Sequence, residues 1–248
     1  RKEAERAGVE ISSVATGFYW GCSLTATAAD TRKKAVEFTK RMLHVARWLG
    51  TDAALVVPGA VDVFFDPKSE KIRYDEVFKR SRASLKACLK TAEKCRVAMC
   101  IENVWNKFLL SPLEMKDFVD SFGSPWVKVY FDVGNVILTG FPQHWIEILG
   151  RRVGRIHAKG FKFMFFGGGE TGEIGQVAAA CKKIAKGTGW CGAYAFCDLD
   201  GGDLDWPAIL AALRKVKYDK YITAEMLPWD PTVIERTSRQ LDAILGRK

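Results

Sequence analysis

The feature that most constrains this chain is a repeated alternation of short apolar runs with longer amphipathic stretches. The runs occupy residues 9–16, 53–57, 96–102, 127–132, 153–157, 193–198 and 221–225, and each is followed within a few residues by Gly, Pro or Asn. Helical periodicity fills the intervals. Residues 31–49 carry Val36, Met42, Leu43, Ala46 and Leu49 on one stripe, and 75–94 carry Val77, Leu85, Cys88 and Leu89. A last helix is expected over 231–245, with Pro in its first turn and Gly246 just beyond its end. Apolar strands separated by helices call for a parallel sheet covered by those helices.

Seven such units are one short of an eight-fold barrel, and the chain opens on Arg1 inside what reads as the tail of a helix over residues 1–7. The expected fold is therefore α/β, a TIM (β/α)8-type barrel that lacks its first strand in this chain. An open seven-stranded sheet is the alternative. A length of 248 residues with 48% hydrophobic content is ample for one core, and no Pro/Ser-rich linker divides it, so a single domain over 1–248 is expected.

No run approaches the roughly 18 apolar residues of a membrane helix, and Arg1-Lys2-Glu3-Ala4-Glu5-Arg6 is unlike a signal peptide. A cytoplasmic protein with no membrane partner is the expectation. Seven cysteines without a CxxC pair signal neither a disulfide framework nor a thiolate zinc site, and are read as reduced thiols. The net charge of +9 is partly local: residues 151–190 hold Arg151, Arg152, Arg155, Lys159, Lys162, Lys182, Lys183 and Lys186 against Glu170 and Glu173. That excess leans toward an anionic substrate, although a solvated helix face leaves the same trace. The Gly-rich segment 167–172 lacks the Gly-Lys-Ser/Thr of a phosphate loop and is read as a lid or insertion.

Four metal-capable side chains end apolar runs: Glu102, Asp132, His157 and Glu225. Strand C-termini are where barrel enzymes assemble their sites. A charged group in such a place is costly unless neutralised, and one divalent cation would satisfy all four together. The oxygen-rich donor set favours the harder ions, Mn2+ first, with Mg2+, Co2+ or Zn2+ as alternatives. Asn106, Asn135 and Lys159 are candidates to position substrate hydroxyls, and Trp20, Trp105 and Phe108 to form apolar walls.

The motifs Ile101-Glu102-Asn103, Phe131-Asp132-Val133-Gly134-Asn135, His157-Ala158-Lys159, Gly202-Asp203-Leu204-Asp205-Trp206 and Tyr221-Ile222-Thr223-Ala224-Glu225 span most of the chain. Together they resemble the xylose-isomerase-like TIM-barrel sugar isomerases and epimerases, which include the ketose 3-epimerases, L-ribulose-5-phosphate 3-epimerase and hydroxypyruvate isomerase. The resemblance implies that Glu102, Asp132, His157 and Glu225 bind the metal, and that Glu102 and Glu225 also act as an acid/base pair on opposite faces of a ketose or ketose phosphate. Proton removal beside a carbonyl would give an enediolate, and return from the other face would invert the centre.

This chain departs from the family pattern in three places. Gly160 stands where many members carry an acidic residue, and Asn135 and Phe163 stand where ketose 3-epimerases often have His and Arg. Within the same family, a sugar or cyclitol dehydratase or a C-glycoside-cleaving lyase is the closest alternative, because an enolate can also eliminate. A zinc-cluster nuclease of the endonuclease IV type needs several histidines, whereas the chain has His44, His144 and His157, so no nucleic-acid partner is expected. A non-catalytic binding subunit is a lesser alternative. The partners expected are a small-molecule sugar or sugar phosphate and further copies of the chain in a homo-oligomer, which would cover an open barrel edge.

Overall fold

The computed structural model describes residues 1–63, 65–163, 194–226 and 230–247. After the short helices α1 (Lys2–Arg6) and α2 (Phe18–Gly21), long α3 (Ala29–Leu49) leads into strand β1 (Ala53–Val56). There follow α4 (Tyr74–Cys95), β2 (Ala98–Glu102), α5 (Pro112–Asp120), β3 (Val127–Asp132), α6 (Pro142–Leu149) and β4 (Val153–Ala158). Two further strands, β5 (Gly160–Phe163) and β6 (Tyr194–Cys197), precede α7 (Trp206–Lys215), β7 (Ile222–Ala224) and α8 (Val233–Leu245). No helix among the described residues is long and apolar enough to cross a membrane.

Five strands form one parallel sheet in the order β1-β2-β3-β4-β7. Strands β1 and β4 are buried along their whole length, as expected where one face meets helices and the other an interior. The helices end where their sequences dictate. Gly50 closes α3 in the left-handed region at φ 88°, while Ser111 caps α5 by accepting from the Glu114 N–H at 3.1 Å ahead of Pro112. Asp205 caps α7 in the same way.

The sheet is curled rather than open. Its edge strands β1 and β7 would lie about 19 Å apart in a flat sheet of this order. Yet segment 10–14 touches both edges. Val14 bridges Ala54, with Leu55 N–H donating to the Val14 carbonyl at 2.8 Å, and two residues earlier the Ser12 hydroxyl lies 3.4 Å from that of Thr223. The Tyr130 hydroxyl, from the middle strand, reaches Ser13 at 3.0 Å and Thr223 at 3.4 Å across the interior. Buried Arg155 donates to the Ser12 carbonyl at 2.8 Å and pairs with Asp52. An open sheet is thereby excluded, and the architecture is an incomplete TIM barrel.

Two expected barrel strands take other forms. Residues 9–16 contribute only the single bridge at Val14, because the segment's polar groups go elsewhere: the Ser12 carbonyl accepts from the Thr51 hydroxyl at 2.7 Å as well as from Arg155. Of the expected strand over 193–198, the described residues 194–198 lie outside the barrel, since β6 pairs antiparallel with β5 and β4 takes β7 as its direct neighbour. The two strands of this arm approach so closely that a Cβ on Gly160 would overlap the Cys197 and Asp198 carbonyls, and one on Gly202 would overlap that of Phe161. Gly160 is thus the residue the arm requires, which accounts for the missing acidic side chain. Cys22, Cys88, Cys95, Cys100 and Cys197 are free thiols. Cys181, Cys191, the Gly-rich segment and Lys182, Lys183 and Lys186 of the basic cluster lie outside the described residues.

Candidate metal centre

Strand register assembles the site. Asp132 is aligned with His157 on the neighbouring strand, and His157 with Thr223, so β2, β3, β4 and β7 release Glu102, Asp132, His157 and Glu225 at one end of the sheet. Their ligand atoms all lie within 4.8 Å of one another. His157 Nδ1 is the hub, 3.0 Å from Glu102 Oε1 and 3.7 Å from both Asp132 Oδ2 and Glu225 Oε2. The Tyr130 ring lies against the imidazole, with centroids 4.3 Å apart.

A second set of residues fixes the first. Asn103 ties β2 to β3 by donating to the Asp132 carbonyl at 2.8 Å and accepting from its N–H at 2.9 Å. The Asn135 N–H donates to Asp132 Oδ1 at 2.8 Å, and its amide donates to the Asn103 carbonyl at 3.0 Å. One carboxylate oxygen of Asp132 is therefore anchored and the other is aimed at the hub. Trp105 donates from its indole to the Asn135 carbonyl at 3.1 Å and stacks on Phe196, with Phe161 edge-on to both rings. The β5-β6 arm thus supplies an aromatic wall.

Lys159, one residue beyond β4, completes the charge pattern. Its ammonium lies 3.0 Å from Asp132 Oδ2, 2.6 Å from Glu225 Oε2 and 3.2 Å from Asn135 Oδ1. Burial pushes the Glu102 carboxyl above the usual range, although the His157 hydrogen bond opposes it. For His157, burial works downward, and the hydrogen bond and charge of Glu102, joined by Asp132 and Glu225, overcome it and raise the imidazole. Burial likewise works against the Lys159 charge, but Asp132 and Glu225 hold it above the ordinary lysine value. Glu225 is held below the usual carboxylate range because Lys159 and His157 outweigh its burial.

The donor set fits a divalent cation. Asp132 Oδ2 and Glu225 Oε2 are buried yet accept no hydrogen bond among the described residues, the Lys159 ammonium approaching them as an ion pair without directional geometry. Three carboxylates and one imidazole suit a hard or borderline ion. At metal bond lengths of about 2.0–2.2 Å, opposite donors stand about 4.0–4.4 Å apart, close to the observed spread.

The other sequence candidates divide. Asn135, Lys159 and Trp105 join the ligand cluster through the contacts above. Both ends of the Asn106 amide are engaged by main chain, donating to the Gly59 carbonyl at 2.7 Å and accepting from the Phe108 N–H at 3.0 Å, which ties the loops after β1 and β2 together. Phe108 is buried among Tyr74, Phe78 and Phe118. Trp20, on α2, packs edge-on against Phe65 at 5.1 Å. The sequence assigns no role to Asn103, Tyr130, Phe161 or Phe196. Of these, Asn103 carried a signal, as an amide directly after a strand-terminal carboxylate.

The family model of the xylose isomerase-like TIM barrel matches residues 1–242. Solved structures are similar along almost the whole chain. A D-tagatose 3-epimerase-like protein gives a TM-score of 0.70 at 17% identity, covering 99% of this chain and 80% of that one. The 3-keto-D-glucoside 4-epimerase of E. coli gives 0.71 at 12%, with 99% and 82% covered, and an L-ribulose 3-epimerase gives 0.67 at 15%, with 99% and 69% covered. No curated protein matches. Because that family model spans nearly the whole chain, the chain belongs to the xylose isomerase-like TIM-barrel family.

Proposed function

We propose that this protein is a divalent-metal-dependent isomerase or epimerase of a ketose or ketose phosphate, working by proton transfer at a carbon next to a carbonyl. The observation that carries this reading is the convergence of three carboxylate oxygens on His157 Nδ1 at one end of the sheet. Glu102, Asp132, His157 and Glu225 would hold the ion, Mn2+ by preference. When bound, a cation there supplies Lewis-acid stabilisation of negative charge developing on adjacent substrate oxygens.

The chain's own residues do the rest. Glu102 and Glu225, released from strands that do not adjoin, act as the pair that removes a proton and returns one. Return to the same carbon from the opposite face inverts it, whereas return to its neighbour interconverts aldose and ketose. Asn135 holds Asp132 still, and Lys159 with Asn135 faces the polar side of the sugar. Trp105, Phe161 and Phe196, packed beside Asn135 and Lys159, shield the site from water. D-psicose and D-tagatose, the sugars named for structurally similar epimerases, are the first substrates to try.

The test is incorporation of solvent deuterium into a panel of ketoses and ketose phosphates with Mn2+ present. Exchange at one carbon is expected, and Glu102→Gln or Glu225→Gln should each reduce it by at least a hundred-fold. Undiminished exchange in either variant contradicts the two-glutamate mechanism.

A further inference from the structure

We infer that Lys159 is a built-in counter-cation of this site, and that a divalent ion binds by displacing its ammonium from Asp132 and Glu225. The inference rests on the metal reading above and adds a competitor that is part of the chain. The ammonium approaches the two oxygens that lack a hydrogen bond, at 3.0 Å and 2.6 Å. Those are the oxygens a cation needs. A dication and an ammonium held about 3 Å apart repel strongly in a buried site, so both cannot occupy the position together.

The lysine has somewhere to go. The base of its stem is fixed, because Gly134 lies so close that a Cβ there would sit 3.1 Å from Lys159 Cβ and 3.3 Å from its Cγ. Motion is therefore confined to the outer stem. Two groups wait within its reach: Asn135 Oδ1, already 3.2 Å from the ammonium, and the face of Phe196, whose centroid is 5.5 Å away. Lys159 is only 6% exposed in this state, so displacement carries its ammonium along the aromatic wall toward the substrate space, where a reagent from solvent can meet it. In the metal-free protein the lysine compensates carboxylates that would otherwise repel one another. In the loaded protein it stands at the aromatic wall, facing substrate oxygens. The lysine thus trades metal affinity for an intact empty site.

The test is calorimetric titration of Mn2+ into the full chain after chelator treatment, for wild type, Lys159→Met and Lys159→Gln. Both variants should bind Mn2+ at least ten-fold more tightly than wild type, while their metal-free forms melt at lower temperature. Equal or weaker binding in the variants, with wild type binding normally, overturns the counter-cation role and leaves the metal centre intact. No binding in any of the three overturns the metal centre itself, and the inference with it. A measurement on wild type alone covers the case in which neither variant folds. Acetic anhydride labelling, mapped by peptide mass spectrometry against exposed Lys162 as internal standard, should modify Lys159 several-fold more with Mn2+ than without. Labelling unchanged by Mn2+ contradicts displacement.

Discussion

Asn103 shows how much of the candidate site depends on a residue outside the Glu102, Asp132, His157 and Glu225 cluster. Its two hydrogen bonds to the Asp132 main chain lock β2 to β3 where the carboxylates emerge. Asn103→Ala removes both and leaves buried groups unpaired, at a cost of about 2 kcal/mol, and should lower metal affinity as Asp132 loosens. Chemical denaturation and metal titration on the same sample check both effects. The thiols make a second prediction. Burial pushes Cys88 and Cys100 up to about 12, so in native protein at pH 8 they should resist alkylation that proceeds freely in denaturant. The stability consequence has a definite sign. The unfolded chain loses these protons near the ordinary thiol value while the folded chain keeps them, so stability falls as pH rises from about 9 toward 12, at up to about 1.4 kcal/mol per pH unit for each thiol. All four residues of the candidate metal cluster were legible in the sequence because a charged side chain ending an apolar run is conspicuous. The roles of Asn103, Tyr130 and Phe196 were not, since amides and aromatics reveal their partners only in three dimensions.

At the scale of elements, the β5-β6 arm is the feature the sequence conceals best. Residues 193–198 have the composition of a buried barrel strand, and period and content cannot tell a strand in the barrel from one folded back beside it. What decides is the lone residue, Lys159, between β4 and β5, which carries the chain straight from one strand into the next. Gly160 is the point of closest approach. Gly160→Ala should separate the arm's strands, shifting the fluorescence of Trp105, which stacks on Phe196, while far-UV circular dichroism retains the main sheet. An unchanged Trp105 environment would mean that the arm accommodates a side chain at position 160. Segment 9–16 is the other element that departs from expectation. Its apolar pattern predicts a strand, but beyond the bridge of Val14 to β1 its hydrogen bonds go to Thr51, Arg155 and Tyr130. Arg155→Met, which removes the link between Ser12 and Asp52, is expected to cost about 2 kcal/mol in denaturant melts, discounted because Asp52 is largely exposed.

Across the whole molecule, barrel curvature and strand register together bring four side chains from distant sequence positions to within 4.8 Å of one another. Curvature was foreseeable from the alternation of strands and helices; the direct pairing of β4 with β7 was not, because it depends on the arm leaving the barrel. That pairing is also what sets His157 beside Glu225, so fold and site stand or fall together. The most direct measurement is the metal content of purified protein after incubation with Mn2+ and removal of free ion, beside His157→Ala. One ion per chain in wild type and a large loss in the variant are expected. No retained ion in wild type, with the protein folded, would contradict the metal centre on which the proposed chemistry depends.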